Sequence, residues 1–68
     1  MYTFTVTMKD GQVFQIKAFG LVRGSMDDHS TSKKKDHTCL FVRPTKTTAV
    51  DAAYITDHAS EILRVVID

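Results

Sequence analysis

From Tyr2 to Lys9, apolar and polar side chains alternate: Tyr2, Phe4, Val6 and Met8 against Thr3, Thr5, Thr7 and Lys9. Period two marks a strand with one buried face, and Tyr, Phe, Val and Thr suit a pleated surface. Past Lys9-Asp10-Gly11 the alternation resumes, with Phe14, Ile16 and Ala18 against Gln15 and Lys17. Together the two runs predict a β-hairpin from Met1 to Phe19. Burial selects its register. A two-residue Asp10-Gly11 turn would set Val6 against Gln15 and Phe4 against Lys17, mixing the faces. A three-residue loop, Lys9-Asp10-Gly11, pairs Met8 with Gln12, Val6 with Phe14, Phe4 with Ile16 and Tyr2 with Ala18, and the apolar side chains then share one face. A one-residue slip flips a whole strand, so the second register is expected. It carries a G1 bulge, with Gly11 at a positive φ that glycine adopts without steric cost.

Residues 20–37 hold no sustained period. Gly20, Gly24, Asp27, Asp28, Ser30, Thr31, Ser32, Lys33, Lys34, Lys35 and Asp36 read as a long polar loop, expected to be mobile. Thr38 to Arg43 is a predicted third strand around Cys39-Leu40-Phe41-Val42, closed by Pro44, which cannot donate to a ladder. Pro44-Thr45-Lys46 is a tight turn. Thr47 to Ile55 reads as a fourth strand, with Val50, Ala52 and Tyr54 on one side. Two readings compete for the last stretch. Ile55, Ala59, Ile62, Leu63 and Val66 have helical spacing, which would make one helix from Asp57 to Val66. The continuous run Ile62 to Ile67, four of its six residues β-branched, instead suits a buried strand. The favoured reading is a short helical or 3₁₀ segment at 56–61 followed by a fifth strand over Ile62 to Ile67.

The fold class expected is therefore mainly β, or α+β: a small antiparallel sheet or partly open five-stranded barrel led by the N-terminal hairpin, in one domain of 68 residues. A chain this short buries only about 60% of its unfolded surface, so a homo-oligomer would make up a thin margin. The one cysteine, Cys39, excludes an internal disulfide, and small secreted domains usually carry several. With no apolar run approaching the roughly 20 residues of a membrane span, and a start directly on a strand, an intracellular, cytoplasmic protein is expected, without membrane contact. Net charge is +1. Asp51, Asp57, Glu61 and Asp68 against Arg64 make −3 from residue 47 onward, leaving +4 on the first 46 residues.

A hairpin with a Lys-Asp-Gly turn, a variable middle and a closing apolar strand after a short turn resembles small Sm-like and SH3-like barrels in element order. The resemblance implies a barrel-like fold. Sm-like families read RNA bases with Asp and Asn set after the second strand. Here that region is Gly20-Leu21-Val22-Arg23-Gly24-Ser25-Met26, which holds no such pair, so base readout does not carry over.

Candidate chemistry is sparse. His29 and His37 with Asp27, Asp28, Asp36 and Cys39 are zinc-ligand types, but their spacing closes no four-ligand site, and no metal or cofactor is expected. Cys39 with His37 or His58 would be a thiol and base, yet Cys39 opens an apolar strand, where cysteine behaves as a small hydrophobe. No catalytic constellation is present, and the expectation is a protein that is not an enzyme. Lys33, Lys34 and Lys35, with Arg23, Arg43 and Lys46, form a candidate phosphate-binding set, diluted by three aspartates and lacking interleaved aromatics for base stacking. Thr3, Thr5 and Thr7 form an uncharged polar strip on a first strand that would be poorly defended as a sheet edge; it could pair with a second copy or add to a partner's sheet. These readings lead to a non-enzymatic interaction module that binds a protein partner through the sheet edge and the long loop, His29 included. Chains this short are common among phage and mobile-element accessory proteins that cap or inhibit host factors. The alternative is an Sm-like nucleic-acid or nucleotide binder using the basic loop.

Overall fold

The computed structural model describes residues 1–28 and 33–68, with side chains described for 1–24 and 38–68. Its first element is the expected hairpin: β1, Tyr2–Met8, antiparallel to β2, Val13–Ala18. The register is the one burial selects, with Tyr2 opposite Ala18, Phe4 opposite Ile16 and Val6 opposite Phe14. Met8 donates its N–H to the Gln12 carbonyl at 2.8 Å, and Gly11 donates to the Met8 carbonyl at 3.0 Å. Gly11 sits at φ +94°, a conformation that costs an L-residue with a Cβ. Asp10 Oδ1 accepts from the Gln12 N–H at 3.0 Å, the side chain standing in for a backbone acceptor inside the turn.

The long-loop expectation is corrected. Residues 20–28 form β3, Gly20–Asp28, and it pairs antiparallel with β4, Lys33–Val42. Residues 29–32 lie outside the described residues. The strand β3 follows β2 after Phe19 alone, and the Phe19 N–H bonds to the Val42 carbonyl at 2.8 Å, carrying the ladder through the bend. A period shows in the sequence only where a face is buried. Among the described side chains of this hairpin Leu21 opposes Phe41 and Arg23 opposes Cys39, and Cys39 and Phe41 are buried.

The fourth-strand expectation for Thr47 to Ile55 is also corrected: Ala49–Asp57 is a helix, α1. Three alanines in nine residues favour helix, since alanine loses no side-chain entropy there. Ala52 and Ile55, three apart, are the buried pair, while Val50 faces solvent. Asp51 stands in the first turn, where a carboxylate complements the helix dipole. A 3₁₀ turn at Ala59–Glu61 follows, and β5, Ile62–Ile67, closes the chain. Both agree with the favoured reading in element type, but the buried strand it expected is an edge strand of which only Ile62 is fully buried. Ile55, Ala59 and Ile62 are all buried, so their helical spacing reflects three separate elements meeting one core.

The strands fall into two small antiparallel sheets, ordered β2-β1-β5 and β3-β4, and the described residues close no barrel. Strand β1 is central, with β5 on its second side. The core joins both sheets and the helix: Phe4, Val6, Met8, Ile16, Ala18, Cys39, Phe41, Ala52, Ile55, Ala59 and Ile62, with no buried polar side chain among the described residues. A turn from Pro44 to Thr48 links β4 to α1 and seals part of the β2 edge. The Thr45 N–H bonds to the Lys17 carbonyl at 2.9 Å, and the Lys17 N–H to Thr48 Oγ1 at 3.3 Å. Arg43, at φ +49°, makes the left-handed step that starts this turn.

Candidate interaction surface

Three surfaces follow from this architecture. The first is the outer face of β3-β4. Strand alternation turns Leu21, Cys39 and Phe41 inward and leaves Val22, Leu40 and Val42 outward. Val22 stands directly opposite Leu40 and Val42 opposite Gly20. Val22 and Leu40 each keep 58% of their surface exposed and Val42 keeps 40%. Gly20 and Gly24 add no bulk beside them, and Thr38, opposite Gly24, ends the apolar stretch with a hydroxyl that donates to the Gly24 carbonyl at 3.3 Å. Leu40 also borders a groove of about 300 Å³ between β4 and α1, walled by Pro44, Ala49, Ala52, Ala53 and Thr56.

The second is the outer face of β2-β1-β5, where the threonine strip lies. Thr3, Thr5 and Thr7 are half-buried. They are flanked by Lys17, Gln15 and Val13 on β2 and by Val66 and Arg64 on β5. The strip is not an edge, which corrects that expectation: a strand hydrogen-bonded on both sides has no backbone groups left to offer. The edges of this sheet are β2 and β5.

The third is the mouth between the sheets, a groove of about 380 Å³ lined by Tyr2, Phe4, Gly20, Leu21, Arg23 and Ile67. Arg23 is the one cation among the described residues that line it.

The basic set is not gathered into one patch among the described residues. Arg23 faces the inter-sheet mouth, opposite Cys39. Arg43 follows β4 four ladder positions away, roughly 13 Å at 3.3 Å per residue. Lys46 lies on the exposed Pro44 to Thr48 turn. His29 lies outside the described residues, as do the side chains of Lys33, Lys34, Lys35 and His37, so the basic loop and the candidate metal ligands on it fall there too. Among the described residues no cluster of three metal-ligand side chains occurs.

Cys39 is buried, with 2% of its surface exposed. Burial pushes its thiol above the ordinary value of 9.0, and nearby Arg23 pulls it part of the way back. The neutral thiol is the form present near neutral pH, whereas nucleophilic attack needs the thiolate. His58 is engaged elsewhere. Its ring stacks on Tyr54, centroids 4.2 Å apart, and its Nδ1 lies 2.8 Å from the Tyr54 carbonyl oxygen. Tyr54 in turn meets Phe14 at 5.5 Å. Sequence reasoning missed this row of three rings, because Phe14 and Tyr54 were assigned to separate strands. With residues 49–57 read as helix, the i, i+4 spacing of Tyr54 and His58 would have signalled the stack.

No helix among the described residues is long and apolar enough to cross a membrane. No family model, curated protein or solved structure matches the chain.

Proposed function

We infer that the protein is a non-enzymatic module that binds a protein partner through the outer face of β3-β4. The observation that carries this reading is the Val22, Leu40 and Val42 face. Three contiguous branched side chains stay in water while their neighbours Cys39 and Phe41 are buried. Aliphatic side chains presented together on one sheet face suit an apolar protein surface. They offer nothing to a phosphate backbone, which is gripped by cations. Within this reading, capping or inhibiting a host factor, as phage and mobile-element accessory proteins do, is a role that so short a module fits.

The test is capture from lysate of the source cell by immobilised protein, with nuclease, at about 1 M NaCl, where the Debye length falls to roughly 3 Å. A protein retained under these conditions by the wild type and lost by Leu40→Asp supports the reading. Capture abolished by nuclease or by salt overturns it in favour of the nucleic-acid alternative.

A further inference from the structure

We propose that a second copy of this chain pairs with β5, extending the first sheet to six strands in the order β2-β1-β5-β5-β1-β2. This surface is separate from the β3-β4 face, so either reading can fail alone.

The two edges of the sheet are finished differently. On β2 the outward N–H and C=O of Lys17 are taken by Thr48 Oγ1 and the Thr45 N–H, which seals the end of that edge beyond Val13 and Gln15. On β5, Asp68 donates to the Thr3 carbonyl at 2.9 Å, and Val66 and Arg64 face Thr5 and Thr7. Backbone groups alternate in direction along an antiparallel strand. Val65 and Ile67 therefore turn their N–H and C=O away from β1. Among the described residues no backbone hydrogen bond reaches that side. Edges are normally blunted by charge, proline or covering chain, yet β5 carries Arg64 alone, and Ile67 keeps 59% of its surface exposed.

Charge and backbone geometry favour one register. Outward-facing residues must pair with outward-facing residues. Centring an antiparallel pair on Arg64 would put two arginines face to face. Centring it on Val65 would enlist Leu63, where the β1-β5 register slips and the ladder is distorted. Centring it on Val66 avoids both. Val66 then meets Val66 of the other copy, Val65 meets Ile67, and each Arg64 stands opposite an Asp68. Four backbone hydrogen bonds form from Val65 and Ile67 of the two copies. Opposite charges at directly paired positions stabilise a sheet, and like charges there destabilise it. The occupant that completes this edge is thus the edge itself.

Sedimentation equilibrium on the full chain, with hydrogen exchange at several concentrations, tests the proposal. The expected result is a dimer whose Val65 and Ile67 amides gain protection as concentration rises. Arg64→Glu and Asp68→Lys should each weaken the dimer by roughly tenfold, and the two together should restore it. Both side chains are exposed, and thermal unfolding of each variant checks that the fold survives. A monomer up to millimolar concentration overturns the proposal. So does a dimer whose Val65 and Ile67 amides exchange freely, or one indifferent to the charge swap.

Discussion

Phe41 on β4 meets Phe4 on β1 edge to face, ring centroids 5.6 Å apart. This contact joins the two sheets across the core. Neither ring belongs to the other's ladder, so no backbone hydrogen bond holds the sheets at this point. The aromatic pair and the small residues around it do so.

Phe4→Ala should cost about 3–5 kcal/mol, the usual range for emptying a buried aromatic site. Phe41→Ala should fall in the same range. Because the residues touch, the double variant should lose less than the sum, with a coupling of about 0.5–1.5 kcal/mol. Urea unfolding of the four proteins measures this. Strict additivity would mean that the sheets do not depend on each other here.

Gly11→Ala should destabilise by about 1–2 kcal/mol, the penalty of a Cβ in the left-handed region. No other atom lies within 4 Å of the added carbon, so the loss is conformational and not steric crowding. Gly11→Asn should recover part of it, since asparagine tolerates positive φ. Equal stability of the alanine variant and wild type would mean that this position carries no left-handed penalty.

Thr48→Val should lose about 1–2 kcal/mol. It removes a hydroxyl that lies 2.8 Å from Thr45 Oγ1 and 3.3 Å from the Lys17 amide nitrogen, and each net hydrogen bond is worth roughly 1 kcal/mol. The loss should concentrate locally: the Lys17 amide should exchange faster with solvent while the Phe4 and Val6 amides hardly change. Uniform acceleration would show that the turn is not a separate seal on the β2 edge.

Cys39 should react slowly with a thiol reagent in the native state and quickly after unfolding. Its folded thiol titrates above the unfolded value of 9.0. The neutral form is thus the one the fold favours. Stability from this source is complete below pH 9.0 and is lost as pH rises through the higher folded value. A native reaction rate that levels off near neutral pH would contradict this.

The N-terminal hairpin, its register and the Gly11 bulge were legible in the residues, because one face of that ribbon is buried and burial imposes a period of two. Ile62 to Ile67 was legible as a strand because four of its six residues are β-branched, although only Ile62 is fully buried. Residues 20–28 and 33–37 were not legible. They show no alternation of apolar and polar side chains, and a strand without that period is not legible from local sequence. The helix at Ala49–Asp57 is not legible locally, because Val50, Ala52 and Tyr54 alternate as a strand would, while the decisive fact is that Ala52 and Ile55 both reach the core. The candidate surface was even less visible. Nothing local distinguishes Val22 and Leu40 from Leu21 and Phe41; all four are apolar, and tertiary packing alone buries Phe41 and leaves Val22 and Leu40 in water. The sequence by itself determined which segment would become a ribbon and which of its sides would be greasy. Only the tertiary structure decided that β1 is central, that β5 is an edge, and that Val22, Leu40 and Val42 face outward together. Strand order comes from contacts between residues far apart in the chain, and no short-range period records them.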